Sequence, residues 1–62
     1  MRRRALIRHL RLNRCVLLRE GANHSVWVNP ANRKVTTVPR HHEINEYLVQ
    51  KICRDLEIPA PQ

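Results

Sequence analysis

His24 is the residue whose type and position suggest chemistry most directly. It lies in the stretch REGANHSVW, at residues 19–27. Imidazole exchanges protons near neutral pH, so a histidine can act as a general acid or a general base. Gly21-Ala22-Asn23 predicts a turn of small residues, which would leave room for a phosphate beside His24 at the mouth of the next strand. Taken alone, however, a strand-end histidine is more often structural than functional.

The segment PRHHE at residues 39–43 carries two further histidines. Adjacent side chains on an extended segment point to opposite sides, so we do not expect His41 and His42 to share a metal ion. No further ligand follows at a standard spacing, and we predict neither a metal nor another cofactor. We predict instead that Arg40 and His41 contact phosphate or a partner carboxylate, the alternative being a polar surface loop.

Other catalytic arrangements are not found in the sequence. No carboxylate pair occurs at a known catalytic spacing, and Gly21 is the only glycine, so a glycine-rich phosphate loop is excluded. Ser25 has no visible triad partner. An enzyme with this sequence would have to rely on histidine, arginine and backbone groups.

The chain is strongly basic, with twelve Lys and Arg residues against five acids and a formal net charge of +7. This favours a polyanion or an acidic protein as partner, although a solvated surface is the simpler alternative. Arg4, Arg8 and Arg11 lie on a basic helix predicted over residues 3–13 and are candidate phosphate contacts. Aromatic residues are scarce: Trp27 could stack one base on an open sheet face, or pack under the arginines as an anchor.

The length of 62 residues predicts one domain, residues 1–62, with marginal stability unless a partner helps. Cys15 and Cys53 match no zinc or disulfide pattern, so we interpret them as buried thiols of a cytoplasmic protein. No apolar run of about 18 residues is long enough to span a membrane. The basic N-terminus is not followed by an apolar segment of the kind found in signal peptides.

Hydrophobic periodicity predicts helix 3–13, strands 15–20, 24–29 and 33–38, and a final helix that runs to residue 56. Asn13 is expected to end the first helix in the left-handed conformation, and Asn45 to cap the last one. A type I turn is predicted at residues 29–32. Val35 and Val38 cannot share a face of a regular strand, so we expect a bulge or an early end there.

These elements predict an α+β fold, an α-β-β-β-α two-layer sandwich. Short connections give a three-stranded antiparallel sheet, and both amphipathic helices must cover the same face of it. Ile58 is expected to fold back on the end of the last helix before Pro59. The topology resembles that of the double-stranded-RNA-binding domain, although topology alone does not establish function.

The stretches EGANHSVWVNP, VTTVPRHHEIN and KICRDLEIP, in this order and at this length, resemble the HicA toxin family over roughly residues 5–58. The most specific positions are Gly21, His24 and Pro30, together with the segment 38–44. Members are small messenger-RNA-cleaving toxins of toxin–antitoxin pairs. The chain differs from many members at Arg14 and Glu57, where they carry glycine.

The resemblance implies that His24 is catalytic, that the substrate is mRNA, and that a HicB-like antitoxin covers the site. In such a ribonuclease, histidine moves a proton and cations stabilise the phosphate charge; the candidates are Arg19, Lys34 and Arg40. We expect no metal requirement. Two alternatives remain: a non-catalytic RNA-binding module, and an adaptor whose basic surface serves only an acidic partner.

Overall fold

The computed structural model describes residues 1–61 and contains two helices and one sheet. The elements are α1 (Arg3–Leu12), β1 (Val16–Glu20), β2 (His24–Asn29), β3 (Lys34–Pro39) and α2 (Glu46–Leu56). The strands pair antiparallel in the order β1-β2-β3. The predicted α-β-β-β-α architecture is therefore confirmed, and it is compatible with a double-stranded-RNA-binding-like label.

One hydrophobic core lies between the sheet and the two helices. Both helices bury residues at helical spacing against the same sheet face, the pattern expected of amphipathic helices. The core comprises Leu6, Leu10, Cys15, Trp27, Val38, Ile44, Val49, Ile52, Cys53 and Leu56. Both cysteines are free and buried, as predicted, and burial raises the pKa of each thiol.

Strand β2 alternates strictly between its two faces. Ser25, Trp27 and Asn29 are buried beneath the helices, whereas Val26 and Val28 face the open side. Trp27 is only 3% exposed, and the guanidinium of Arg11 lies 5.5 Å from the centre of its ring. The anchor interpretation of Trp27 is thus confirmed, and base stacking on an open face was wrong because the ring faces the core.

Polar side chains tie the covered face of the sheet to α2. The Asn29 amide Nδ2 donates to the Leu56 carbonyl over 2.8 Å, and the Thr36 hydroxyl donates to Asp55 Oδ2 over 3.0 Å. Buried polar groups are tolerated when they are hydrogen-bonded. These two bonds fix the last turns of α2 relative to β2 and β3.

Two predictions of backbone detail are wrong. β3 pairs with β2 without a bulge, and Val35 and Val38 lie on its opposite faces. The irregularity lies instead in β1, between Leu17 and Arg19. The left-handed residue after α1 is Arg14, with φ 68°, whereas Asn13 has φ −94°. The sequence pattern could not predict the extra residue in β1, because all five residues of this strand are exposed and show no alternation between buried and exposed positions.

The predicted helix-end features of α2 are confirmed. The Asn45 side chain accepts a 2.8 Å hydrogen bond from the Leu48 amide, and the Ile58 amide donates to the Cys53 carbonyl over 3.0 Å. Glu57 adopts the left-handed conformation between them, with φ 57°. Within residues 1–61, no helix has the length and apolar character needed to cross a bilayer.

Candidate functional site

The hairpin between β1 and β2 positions His24. The Gly21 amide donates to the His24 carbonyl over 2.8 Å, which closes the turn. A Cβ at Gly21 would come within 3.0 Å of that carbonyl oxygen, closer than ordinary contacts allow. This close approach therefore favours glycine, although its φ is not positive. The turn delivers His24 as the first residue of β2, with its side chain exposed.

Arg40 holds the same hairpin from the β3 side. Its backbone amide donates to the Asn23 carbonyl over 3.3 Å and its Nε donates to the Gly21 carbonyl over 3.2 Å. The guanidinium also forms an ion pair with the Glu20 carboxylate. Three contacts on consecutive parts of the turn make Arg40 a brace for the loop that precedes His24.

The His24 groove is a shallow depression on the open face of the sheet. It is lined by Arg19, Gly21, Ala22, Asn23, His24, Val26 and Thr37. Arg19 and Thr37 both pair with Val26, so the three share the face on which His24 lies one row away. Arg19 forms no ion pair within residues 1–61. A proton carrier and an uncommitted cation therefore face the same space.

A hydrogen-bond network lies directly beneath this end of the sheet. Arg3 Nη2 donates to Ser25 Oγ over 2.8 Å and Arg3 Nε donates to the Pro39 carbonyl over 2.9 Å. The Trp27 indole also donates to Ser25 Oγ, over 3.3 Å. Pro39 pairs with His24 across the sheet, and Ser25 follows His24 in β2. Arg3 therefore holds two residues that adjoin the histidine.

A second concave surface, the arginine pocket, lies at the start of α1. It is lined by Arg2, Arg3, Arg4, Arg40 and His42. The Arg3 amide donates to the His42 carbonyl over 2.8 Å, so backbone pairing brings the two segments together. The pocket contains two of the predicted phosphate contacts, Arg4 and Arg40, and His42 instead of the predicted His41.

The remaining predicted contacts lie away from His24. Lys34 pairs with Asn29 at the far end of β3 and its Nζ lies 4.0 Å from a Glu57 carboxylate oxygen. Five residues of strand put it about 17 Å from the His24 end of β3. His41 is exposed and lines neither concave surface. Arg8 and Arg11 are exposed on α1, which covers the opposite sheet face.

The open face beside the His24 groove is apolar. Val16, Leu18 and Val35 are 48%, 59% and 48% exposed, and the partly buried Val26 and Val28 lie between the outer strands. Exposed apolar residues at one place on a monomer mark interaction surfaces. This patch, residues 16, 18, 26, 28 and 35, is called the apolar sheet face below.

Sequence reasoning missed four residues of these two sites: Arg2, Arg3, Ser25 and His42. The run Arg2-Arg3-Arg4 was visible, but helical periodicity placed Arg3 among solvent-facing side chains. Its contacts are with residues 22 and 36 positions away, which no local pattern reports. Within residues 1–61, no group of three or more His, Cys, Asp or Glu side chains is arranged to hold a metal ion.

Comparison with known proteins identifies a family. A family model described as the HicA toxin of bacterial toxin-antitoxin systems matches residues 3–58 of the 62-residue chain. No curated protein and no solved structure matches. The match covers both helices, all three strands and both concave surfaces except Arg2. The fold and the match together define a toxin of the toxin–antitoxin class. The chain belongs to the HicA toxin family.

Proposed function

We propose that this toxin is an endoribonuclease that cleaves mRNA without a metal ion, with His24 as its catalytic residue. The supporting observation is the His24 groove, in which an exposed histidine held by the Gly21 hairpin faces an unpaired Arg19. A histidine and an arginine on a rigid sheet supply proton transfer and charge stabilisation, which are the two requirements of RNA transesterification.

The reaction uses the nucleophile of the substrate itself. The 2′-hydroxyl loses its proton, its oxygen bonds to the adjacent phosphorus, and the bond from phosphorus to the 5′-oxygen breaks as that oxygen gains a proton. His24 acts either as the base for the first proton or as the acid for the second, a contribution of about 10²–10⁴-fold. Solvent water accepts or donates the other proton. The products are a 2′,3′-cyclic phosphate and a 5′-hydroxyl end.

Among the three cations considered from the sequence, Arg19 is best placed to stabilise the pentacoordinate phosphate. Arg40 is engaged by Glu20 and the Gly21 carbonyl, and Lys34 lies at the other end of β3. A cation near the developing charge lowers the barrier because it stabilises the charged transition state.

The decisive experiment compares His24→Ala with the wild type on an RNA whose cleavage site has been mapped. We expect the variant to lose about 10²–10⁴-fold in cleavage rate while it keeps its circular dichroism spectrum and binds RNA within a few-fold. A single 2′-deoxy nucleotide at the scissile position should block cleavage by the wild type. Cleavage of that substrate would contradict the mechanism, and unchanged activity of His24→Ala would show that His24 is not the catalytic residue. RNA binding without cleavage by the wild type would leave a non-catalytic RNA-binding module.

The pH dependence of the rate distinguishes the two roles of His24. If it is the base, the cleavage rate rises with pH as imidazole becomes neutral; if it is the acid, the rate falls over the same range.

A substitution of Arg19 tests its role in charge stabilisation. Arg19→Gln should lower kcat, whereas Arg33→Asn, which removes an exposed charge in the turn between β2 and β3, should not. Equal effects of the two variants would exclude a specific role for Arg19.

We further propose that the antitoxin is HicB-like and covers the apolar sheet face and the His24 groove together. A +7 toxin suits an acidic partner, and the apolar side chains beside the groove supply a desolvated contact. Leu18→Ser should weaken binding of the antitoxin, measured by titration calorimetry. The matched control is Leu12→Ser, the same substitution at a leucine that is 75% exposed at the end of α1. Equal losses would place the antitoxin elsewhere.

A further inference from the structure

The arginine pocket is assembled by backbone pairing and is not an accidental grouping of surface side chains. Arg2 forms an isolated antiparallel bridge with Glu43, and the next residue, Arg3, donates its amide to the His42 carbonyl over 2.8 Å. The Arg3 side chain is fixed as well, by its bonds to Ser25 and the Pro39 carbonyl. The pocket therefore has a rigid floor, and Arg2 and Arg4 are the exposed cations at its rim.

The charge of this pocket is largely uncompensated. The protein has five acidic side chains, and each is engaged by a cation: Glu20 with Arg40, Glu43 and Glu46 with the N-terminal ammonium, Asp55 with Lys51, and Glu57 with Lys34. Of the four arginines of the pocket, only Arg40 has a carboxylate partner within residues 1–61. Gathering like charges costs free energy, which an anion bound among them offsets.

The lining favours phosphate over a protein carboxylate. It consists entirely of guanidinium and imidazole side chains, and guanidinium groups form forked, bidentate hydrogen bonds with phosphate oxygens. Protein–protein contacts instead surround buried charges with apolar and aromatic residues, and the pocket has none. The apolar sheet face, whose residues are valine and leucine, has the composition of a protein contact.

Arg40 connects this pocket to the His24 groove. The same residue lines the pocket and contacts the Gly21 and Asn23 carbonyls, and both of these residues also line the groove. The two concave surfaces therefore adjoin at Arg40, whose Nε contacts the Gly21 carbonyl at the edge of the groove. Phosphates recur at every nucleotide, so a neighbouring one can occupy the pocket.

Building on the proposed ribonuclease function, we propose that the arginine pocket is a phosphate-binding subsite for the RNA strand that is cleaved at His24. It holds a phosphodiester flanking the scissile one, with Arg2 and Arg4 as its principal contacts above the fixed Arg3. It sets the register and affinity of the substrate and takes no part in bond breaking. Removing its charge raises KM and leaves kcat unchanged.

The test uses a single-stranded 2′-O-methyl RNA oligonucleotide, which binds but lacks the nucleophile and so cannot be cleaved. Fluorescence anisotropy at several salt concentrations compares the wild type with the double variant Arg2→Gln/Arg4→Gln. The matched control, Arg33→Asn/Arg54→Gln, removes the same charge from exposed positions outside the pocket. Arg3 is left intact because it secures the sheet.

We expect the pocket variant to bind about tenfold more weakly than the control at moderate salt. The slope of log K against log salt should fall in magnitude by about 0.7 for each phosphate that the variant no longer neutralises. On cleavable RNA, its KM should rise with kcat unchanged. If pocket and control variants bind alike while His24→Ala still abolishes cleavage, the subsite is refuted and the ribonuclease stands.

Two further results separate the subsite from its alternatives. If the pocket variant binds RNA normally but no longer binds the antitoxin, the pocket receives a protein carboxylate. If it fails to bind RNA while no RNA is cleaved even by the wild type, the phosphate site stands and the ribonuclease proposal fails. Circular dichroism of both double variants verifies the fold. We expect the pocket variant to fold, because the Arg2 and Arg4 side chains donate no hydrogen bond within residues 1–61.

Discussion

The two faces of the sheet differ more than their shared strands suggest. On the covered face of β2, the polar residues Ser25 and Asn29 are buried and hydrogen-bonded beneath the helices. On the open face, Val16 and Val35 are apolar and about half exposed. The covered face packs on the helices through Trp27, Val38 and these hydrogen-bonded polar residues, whereas neither helix covers the apolar residues of the open face.

This difference between the two faces indicates what each face does. Covered polar groups with specific partners fix helix positions, since an unsatisfied group in the same place would be costly. Exposed valine and leucine contribute little to the stability of the monomer but suit an intermolecular contact. His24 lies on the open face, at the end where Arg3 and Ser25 support it from the covered face.

The largest contrast in stability should come from deleting matched aliphatic groups on the two faces. Val38→Ala, at a fully buried position on the covered face of β3, should cost about 1.5–3 kcal/mol because it removes buried methyl groups and leaves a cavity. Val35→Ala, on the open face, should cost about 0.5 kcal/mol or less. Urea denaturation measures both, and similar losses would show that the open face also stabilises the monomer.

Ser25→Ala should have the next largest effect. The substitution removes the acceptor of both Arg3 Nη2 and the Trp27 indole, and should cost about 1–3 kcal/mol. The His24 backbone amide should shift in NMR spectra, since its neighbour in β2 loses its anchor. Thr37→Ala removes a hydroxyl from the exposed face of β3 and serves as control. An unchanged His24 signal would show that Arg3 does not position the site.

The end of α2 offers a smaller test of the covered face. Asn29 and Asn32 both donate to the Leu56 carbonyl, over 2.8 and 3.1 Å. Each single change to alanine should cost about 1 kcal/mol, because the other amide still satisfies that carbonyl. The double variant should cost about 0.5 kcal/mol more than the sum. Strict additivity in thermal unfolding would mean that the two bonds act independently.

The smallest effect concerns the two thiols. Burial raises the pKa of Cys15 and Cys53 above the ordinary value of 9.0, so folding favours the protonated form. Their contribution to stability is complete below that value and is lost as pH rises through the folded-state pKa. A thiol reagent at neutral pH should therefore modify neither cysteine in the native protein and both in urea. Rapid native labelling would mean that the core opens readily.

Most of the fold could be predicted because its determinants are local. The apolar period of residues 46–56, the Asn45 cap and the small-residue turn at 21–23 each specify their element without knowledge of the rest. The β1 irregularity and the left-handed Arg14 could not be predicted, since strand registration depends on residues in the partner strand. For the site, the position of His24 beside Arg19 follows from a hairpin, a short-range feature.

The sequence by itself determined the element order, the family resemblance and His24 as the candidate catalytic residue, because period, turn chemistry and net charge are read from neighbouring residues. Only the tertiary structure decided which face of β2 is covered, and that Arg2, Arg3 and Arg4 converge with Arg40 and His42. These outcomes depend on contacts between residues about 20 to 40 positions apart, which form only when the helices close over one face of the sheet.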